Sequence, residues 1–199
     1  KGVLFLDEIT EISRSKLEAL REPLEAKKIL ISRAGQQLEF PCDFQLICAM
    51  NPCPCGYATH PKITCNCPQQ TINQYLSKLS GPFLDRVAIH LHINTPTNST
   101  HQPQQNQLSC EQIKSLRKMQ IQRQQCLNNQ LDLNDPQLKT EITTSAEQLV
   151  EKIYHQHHLS FRRLLHTKAL ARSLADINGI KKITAEHIQQ AFFFQNATN

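Results

Sequence analysis

The sequence predicts an α/β region followed by an all-helical region, and three observations carry that prediction. Residues 3–6 are a short, wholly apolar run, which is typical of a parallel-sheet strand buried on both faces. A second run of this kind covers 44–50. Beyond residue 108, strand-like runs give way to segments with helical spacing and helix-capping residues.

The composition indicates a soluble protein of one or two domains. The chain has 199 residues, of which 39% are hydrophobic, and a net charge of +5. No apolar run approaches the roughly 20 residues that a membrane-spanning helix needs. We therefore expect a cytoplasmic protein without a membrane partner. The basic residues are spread along the chain, so the charge permits contact with nucleic acid without arguing for it.

Two adjacent carboxylates, Asp7 and Glu8, follow the first apolar run. They are placed at the carboxyl end of a predicted strand, which is the edge where open α/β sheets bind ligands. The first acid suits Mg²⁺ and the second suits the polarisation of a water molecule, which together make a Walker B pattern. The alternative is a buried strand that meets an acidic loop, and residues 3–8 alone favour neither.

A P-loop nucleotide site also needs a glycine-rich loop that ends in Lys-Ser or Lys-Thr. None of the five glycines is followed by lysine, and the chain enters a strand almost at its first residue. We therefore expect the carboxyl-terminal part of a longer protein, without the Walker A loop and at least one neighbouring strand. Such a fragment should not bind or hydrolyse ATP by itself.

A helix and a hairpin are predicted between the two sheet strands. Ser13 can cap a helix with leucines on one face, and Pro23 should bend or shorten its end. Residues 29–32 and 37–40 are typical of two hairpin strands, joined through residues 33–36.

Asn51 stands at the carboxyl end of the second predicted sheet strand. If the two strands are neighbours, this neutral amide lies beside Asp7 and Glu8, where it can orient the attacking water or a phosphate oxygen. The alternative is an asparagine that forms a turn before Pro52.

Four of the eight cysteines form two C-x-C pairs separated by nine residues: Cys53 and Cys55, then Cys65 and Cys67. Four thiolates brought together by a loop can complete a tetrahedral structural Zn²⁺ site. The spacing is tighter than the usual C-x-x-C knuckle. The alternative is a loop with reduced or loosely paired cysteines.

The remaining segments divide the chain into domains. A helix is predicted at 71–79, and residues 87–93 are typical of a strand with His90 and His92 on one face. Residues 94–107, rich in Pro, Thr, Asn and Gln, are a predicted linker. Helices are predicted at 109–129, 144–155, 160–178 and 184–194. The predicted domains are therefore 1–93 and 108–199, on either side of the linker.

Several motifs occur together in one order along the chain. They are residues 1–8, residues 21–25 at the end of the leucine helix, residues 31–35, Asn51-Pro52-Cys53-Pro54-Cys55-Gly56 and Ser80-Gly81-Pro82-Phe83-Leu84-Asp85-Arg86. This set resembles the magnesium-chelatase-like AAA+ ATPases of bacteria, specifically the ComM/YifB group. The resemblance covers almost the whole chain, because residues 159–162 and 171–176 are similar to that family's small helical lid.

The resemblance implies a partial AAA+ P-loop core, made of a parallel sheet with flanking helices and a β-hairpin insert, followed by an all-α lid domain. Asp7 matches the Walker B acid that binds magnesium, and Glu8 matches the catalytic acid that activates water. Asn51 matches the sensor-1 residue.

Two arginine roles also come from the resemblance. Arg86 falls where related families carry an arginine finger, which a neighbouring subunit donates to stabilise charge on the transferring phosphate. Arg162 matches the sensor-2 arginine of the lid. Arg163 is a second candidate for that role, and His166 stands where the family commonly has arginine.

The resemblance implies ATP and Mg²⁺ as cofactors, and an oligomer, usually a hexameric ring, because the finger acts between subunits. The implied function is an ATP-driven DNA motor with branch-migration or helicase activity in natural transformation and recombination. One alternative is a magnesium chelatase motor subunit, whose sensor-1 region lacks the paired-cysteine loop. Another is a non-hydrolysing remnant that only binds partners.

The predicted hairpin also carries a candidate DNA contact. In a ring, a hairpin after the Walker B helix can project toward the central pore, and Arg33 lies at its tip, with two lysines nearby in sequence. Basic side chains there can bind DNA phosphates. The alternative is that Arg33 pairs with Glu39 across the hairpin or with a neighbouring subunit.

Overall fold

The computed structural model describes residues 2–33, 35–93, 108–131 and 141–196, which form two compact units. The first unit contains the described residues up to Val87, together with Ile93. The second contains Ala88–His92 and the described residues from 108 onward. The predicted linker lies outside the described residues, and the predicted domain limits stay predictions.

The first unit combines a parallel strand pair, a hairpin and short helices. In chain order its described elements are β1 (Gly2–Leu6), a 3₁₀ helix (Ile9–Glu11), α1 (Arg14–Ala19), α2 (Arg21–Ala26), β2 (Lys28–Arg33), β3 (Gln36–Pro41), β4 (Phe44–Cys48), α3 (Gln69–Leu76) and α4 (Gly81–Leu84). β1 and β4 pair in parallel, and β2 and β3 form the predicted antiparallel hairpin.

β1 is not buried on both faces, although its apolar sequence predicted that. Val3 is 65% exposed and Phe5 is 58% exposed. Within the described residues β4 is the one strand paired with β1, and the face of this pair that carries Val3 and Phe5 is left largely uncovered. The core of this unit instead contains Ile9, Leu17, Leu79 and Phe83, with Leu6 and Leu46 packed against it.

The predicted leucine helix is divided into α1 and α2 at Leu20. Pro23 is buried in the first turn of α2 and has no N–H for the carbonyl of Ala19, so the helical hydrogen-bond ladder is interrupted there. Ser13 occupies the cap position but makes no side-chain capping bond; its hydroxyl lies 3.3 Å from that of Ser15.

Residues 87–93 do not form the predicted strand. The His90 N–H donates instead to the carbonyl of Phe194 at 2.6 Å, in the helix Ala185–Asn196. Ala88–His92 therefore belongs to the second unit. The alternation of His90 and His92 with apolar residues therefore does not mark a sheet face here, and Ile89 and Leu91 are exposed.

The second unit is helical. Its described elements are α5 (Cys110–Gln124), a 3₁₀ helix (Asn128–Gln130), α6 (Thr144–Gln156), α7 (Phe161–Ile177) and α8 (Ala185–Asn196). The side chains of Ser109, Thr143 and Ser160 cap α5, α6 and α7. The core is formed by apolar side chains of α6, α7, α8 and the turns between them, including Val150, Ala171, Ile183 and Ile188.

The predicted fold class is confirmed: a parallel sheet with flanking helices is followed by a helical region, as in a partial AAA+ core with a helical lid. None of the helices in the described part of the chain has the length and apolar character that crossing a membrane requires.

Candidate functional site

The parallel pairing of β1 with β4 places Asp7, Glu8 and Asn51 at one edge of the sheet. Beyond the last strand pair, the Ala49 N–H donates to the Leu6 carbonyl at 2.9 Å, and the Ile9 N–H donates to the Ala49 carbonyl at 3.1 Å. Asp7 and Glu8 lie between these two bonds in sequence, and Asn51 follows Ala49 by two residues. All three side chains are exposed and available to a ligand.

Glu8 adopts a left-handed backbone conformation, with φ 48° and ψ 46°, which is uncommon for a residue with a Cβ. Its N–H donates to Asp7 Oδ1 at 2.9 Å, and its carbonyl accepts from the Glu11 N–H at 2.7 Å. The turn therefore orients the Asp7 carboxylate through the backbone. A carboxylate held in this way fits Mg²⁺, which proteins commonly bind through one or two carboxylates together with phosphate oxygens and water.

Arg86 is engaged within the first unit. Its guanidinium forms an ion pair with Glu25 of α2 and donates to the Pro82 carbonyl, and the side chain is 9% exposed. Its Nε atom is buried without a hydrogen-bond partner among the described residues. The structure thus shows an intramolecular partner for Arg86, while its action as an arginine finger stays a prediction.

The two candidates for sensor 2 lie in the first turn of α7, in the second unit. The Arg163 guanidinium donates to the Gln195 carbonyl at 2.8 Å and thereby ties α7 to the end of α8. Arg162 is half-buried beside it. The sensor-2 role of Arg162 stays a prediction, and the bond to Gln195 gives Arg163 a structural role.

Arg33 lies at the end of β2, opposite Gln36, and its side chain is exposed. Glu39 forms its ion pair with Lys28, at 2.9 Å, so the predicted alternative pairing of Arg33 with Glu39 is wrong. The antiparallel register explains this, because it places Glu39 opposite Leu30 and toward the Lys28 end of the hairpin. Arg33 makes no salt bridge within the described part of the chain.

The four cysteines of the two C-x-C pairs meet in space. All four Sγ atoms lie within 4.8 Å of one another. Cys53 Sγ lies 3.3 Å from Cys55 Sγ and 3.6 Å from Cys65 Sγ, and the latter two are 3.5 Å apart. All four are free thiols. Sulfur ligands at about 2.3 Å from one tetrahedral zinc ion would be about 3.8 Å apart, so the cluster nearly has the size of a single-ion site.

The thiols strongly affect one another's protonation. The Tyr57 N–H and the neighbouring Cys53 lower the pKa of Cys55 to about 6. The Cys67 N–H lowers the pKa of Cys65, but burial and the adjacent Cys55 outweigh it and raise the value to about 12. The pKa of Cys67 is also raised, chiefly by Cys55. The thiolate of Cys55 therefore opposes ionisation of Cys65 and Cys67, and a bound divalent cation would offset this repulsion.

One polar cluster in the second unit was missed by the sequence analysis. Asp176 Oδ1 accepts from Arg123 at 2.6 Å and from Arg172 at 3.0 Å, and its Oδ2 accepts from Asn128 at 2.8 Å. Arg172 is only 1% exposed and also donates to the Ile180 carbonyl at 2.6 Å. The i, i+4 spacing of Arg172 and Asp176 on α7 was the available signal. Arg123 and Asn128 are too distant in sequence to have been connected with them.

Comparison with protein families gives a match along most of the chain. Residues 1–102 match the family of the magnesium chelatase subunit ChlI, and residues 105–195 match the family of the ChlI C-terminal region. The first match contains Asp7, Glu8, Asn51, Arg86 and the four clustered cysteines. The second contains Arg162 and the buried Asp176 cluster.

Individual relatives cover the chain at moderate identity. The chain is 33% identical to the competence protein ComM of Haemophilus influenzae over 201 aligned residues, which cover 98% of this chain and 39% of ComM. It is 36% identical to the uncharacterized protein YifB of Escherichia coli, with the same coverage. An uncharacterized protein of Mycobacterium tuberculosis is 49% identical over 94 residues, which cover 47% of this chain and 18% of that protein. The chain thus spans about two fifths of the length of ComM and YifB.

Proposed function

Because the chain belongs to the magnesium chelatase ChlI family, we propose that it supplies the magnesium-facing and water-facing side of the nucleotide site in an AAA+ ATPase. Asp7 binds Mg²⁺, Glu8 activates the attacking water, and Asn51 orients that water or the terminal phosphate. The observation that carries this proposal is the parallel pairing of β1 with β4, which brings all three side chains to one sheet edge. The cofactors are ATP and Mg²⁺, with Zn²⁺ in the cysteine cluster.

Replacement of Glu8 tests the catalytic part of the proposal in the complete protein, meaning a protein that contains both this chain and a Walker A loop. Glu8→Gln keeps the shape of the side chain but removes the base. We expect ATP turnover to fall by about 10²- to 10⁴-fold while nucleotide affinity is retained. Glu11→Gln is the matched control, because Glu11 is also exposed in the same turn. Equal losses of binding and turnover in Glu8→Gln would count against Glu8 as the base.

The chain alone should behave differently. Binding of the phosphates depends on a Walker A loop that this sequence lacks, so the 199-residue chain should neither bind Mg-ATP at micromolar concentration nor hydrolyse it. Calorimetric titration measures this directly. Tight Mg-ATP binding by the chain alone would overturn the proposed division of the site.

The active form in this proposal is a hexameric ring of identical subunits. Arg86 exchanges its ion pair with Glu25 for the phosphate of the neighbouring subunit's nucleotide, and Arg162 acts from the lid as sensor 2. The family match that contains the Ser80–Arg86 motif supports this assignment, and the proposed role requires Arg86 to leave its ion pair with Glu25.

We further propose that the motor acts on DNA in the cytoplasm, as a branch-migration enzyme or helicase in natural transformation and recombination. The similarity to ComM along the whole chain supports this, together with the exposed Arg33 at the hairpin end. Arg33→Ala in the complete protein should weaken DNA binding and flatten its salt dependence, while ATP hydrolysis without DNA stays largely unchanged. Lys28→Ala is the matched control, because Lys28 lies on the same strand and is paired with Glu39.

The family description favours a second candidate, the motor subunit of a magnesium chelatase, which drives metal insertion into a porphyrin. The substrate that stimulates ATP hydrolysis separates the two. Branched DNA should raise the turnover of a DNA motor, whereas a chelatase motor should respond to its porphyrin-binding partner subunits. If the complete protein hydrolyses no ATP under either condition, the remaining alternative is a non-hydrolysing remnant that only binds partners.

A further inference from the structure

The cysteine cluster joins the two ends of one long loop in the first unit. The loop begins where β4 ends at Cys48 and finishes at Pro68, the cap residue of α3. Cys53 and Cys55 lie near its start, and Cys65 and Cys67 lie immediately before Pro68. Asn51 lies between the end of β4 and the first cysteine pair, so its position depends on how this loop is held.

The loop has little support of its own among the described residues. Its internal contacts are local: the His60 N–H donates to the Tyr57 carbonyl at 3.0 Å, and His60 Nδ1 accepts from the N–H groups of Lys62 and Ile63 at 3.1 and 2.9 Å. Between residues 49 and 68, Cys53 is the one described residue that is buried. A metal cross-link would therefore supply order that apolar packing does not provide.

We propose that Cys53, Cys55, Cys65 and Cys67 bind one Zn²⁺ ion and that this ion holds Asn51 in place beside the Asp7–Glu8 strand end. A single ion fits because all four Sγ atoms lie within 4.8 Å of one another, whereas the cysteines of an iron–sulfur cluster bind different iron atoms and are more widely separated. Thiolate ligands suit zinc better than Mg²⁺, which prefers oxygen.

The connection from the metal site to Asn51 runs through the turn at Gly56. The Gly56 N–H donates to the Cys53 carbonyl at 3.0 Å, which closes the turn that carries the first cysteine pair. Gly56 has a φ of +81°, and a Cβ built there would lie 4.0 Å from Asn51 Cγ. The turn thus passes close to the Asn51 side chain, so we expect a displacement of Cys53 and Cys55 to change the surroundings of Asn51.

Metal content tests the first half of the proposal and does not depend on any activity. The complete protein, purified under reducing conditions without chelators, should contain about one zinc per chain, with Zn–S distances near 2.3 Å by X-ray absorption. Cys55→Ser should lose the metal and Cys110→Ser should keep it, since Cys110 is an exposed cysteine on α5 of the other unit. If Cys55→Ser fails to fold, Cys67→His provides a second test. It preserves four zinc-binding groups and should therefore retain zinc. Absence of zinc from the wild type, or iron in its place, would overturn the proposal.

Hydrogen exchange tests the second half, again without reference to catalysis. Removal of zinc by a chelator should raise amide exchange in residues 49–57 at least tenfold, and added Zn²⁺ should restore protection. Peptides from α7 should not change. Unchanged exchange in residues 49–57 after zinc removal would show that the ion does not hold Asn51.

The consequence for turnover rests on the proposed function, so it is measured separately. Zinc removal should lower the kcat for ATP at least tenfold with little change in nucleotide affinity, because it disturbs Asn51 and not the Walker A loop. In the Asn51→Ala variant, zinc removal should lower the kcat by at most about a further twofold, as expected when two changes act through one group. An equal further loss in that variant would overturn the role of Asn51. If the zinc-loaded wild type has no ATPase activity, the proposed function fails, while zinc binding and loop protection are still decided by the two preceding measurements.

Discussion

The two units each contain one dense cluster of ionisable groups, and the two clusters are satisfied in opposite ways. In the helical unit, Asp176 accepts hydrogen bonds from Arg123, Arg172 and Asn128, so opposite charges and donors meet within the protein. In the first unit, four thiols of one kind meet within 4.8 Å. The first cluster is complete without a ligand, whereas in the second each thiolate disfavours ionisation of its neighbours, and a bound cation would offset that repulsion.

This difference separates two ways of making a fold specific. A buried network of opposite charges fixes helix positions whenever the chain is folded, although its net contribution to stability is small. A cysteine cluster makes local order conditional on metal supply. The unit with the smaller apolar core, formed around Ile9, Leu17, Leu79 and Phe83, is the one that contains the proposed zinc site.

The largest expected effect is therefore that of a chelator on the first unit. With free zinc about a thousandfold above its dissociation constant, binding stabilises the metal-holding unit by about 4 kcal/mol, and the chelator removes this. The helical unit should not change. Urea unfolding followed by hydrogen exchange in β4 and in α7 measures the two units separately. Parallel loss of stability in both units would contradict the comparison.

Removal of the central carboxylate of the helical cluster should have the next largest effect. Asp176→Ala leaves Arg172 buried without its main ionic partner and should lower the free energy of unfolding of this unit by about 3 kcal/mol. Glu151→Ala, on the exposed face of α6, serves as the control and should change it by less than about 0.5 kcal/mol. Chemical denaturation measures both variants. A decrease in unfolding free energy below about 1 kcal/mol in Asp176→Ala would show that Arg172 does not depend on Asp176 as its partner.

Acid should weaken the same cluster by a smaller amount. Burial alone raises the pKa of Asp176, but the hydrogen bonds from Arg123 and Asn128 and the charge of Arg172 outweigh it and hold the pKa below its ordinary value. A carboxyl with a depressed folded-state pKa contributes stability that is complete above its unfolded pKa, about 3.9, and is lost as pH falls through the folded value. The unfolding free energy of the helical unit should therefore decrease below about pH 4. Asp176→Asn should flatten this decrease, and an unchanged pH slope would exclude Asp176 as its source.

The smallest effect should come from an ion pair that belongs to neither cluster. Lys28 and Glu39 are 43% and 56% exposed in their side chains, so water competes for both charges. Lys28→Ala should lower stability by about 0.2–1 kcal/mol, and less in high salt. A double-mutant cycle with Glu39→Ala measures the coupling. A coupling energy near the roughly 3 kcal/mol loss expected for Asp176→Ala would contradict the distinction between buried and exposed pairs.

Sequence patterns predicted the features that depend on residues close to one another in the chain. The hairpin followed from two short strand-like runs joined through residues 33–36, and the two C-x-C pairs indicated that four cysteines can meet. The helix break near Pro23 followed from a missing N–H. The adjacency of Asn51 to Asp7 and Glu8 could be predicted only on the condition that β1 and β4 are neighbours, because strand order is not encoded in either strand alone.

The errors arise where a distant partner decides the outcome. Glu39 pairs with Lys28 and not with Arg33, because the choice depends on the register and side-chain reach of a hairpin that sequence places only approximately. Residues 87–93 have strand composition but contact the end of α8. The left-handed Glu8 is a further surprise, since such a conformation usually selects glycine or asparagine. The roles of Arg86, Arg162 and Arg33 stay predictions that the experiments proposed for the complete protein address.

The bond between the His90 N–H and the Phe194 carbonyl has a consequence for the order of events during synthesis. His90 leaves the ribosome about a hundred residues before Phe194, which at about 5–20 residues per second is a delay of about 5–20 s. During that interval the segment Ala88–His92 has been made, but the helix end that it contacts does not yet exist. Completion of the helical unit therefore waits until the end of α8 has been translated, whereas β1 and β4 can pair much earlier.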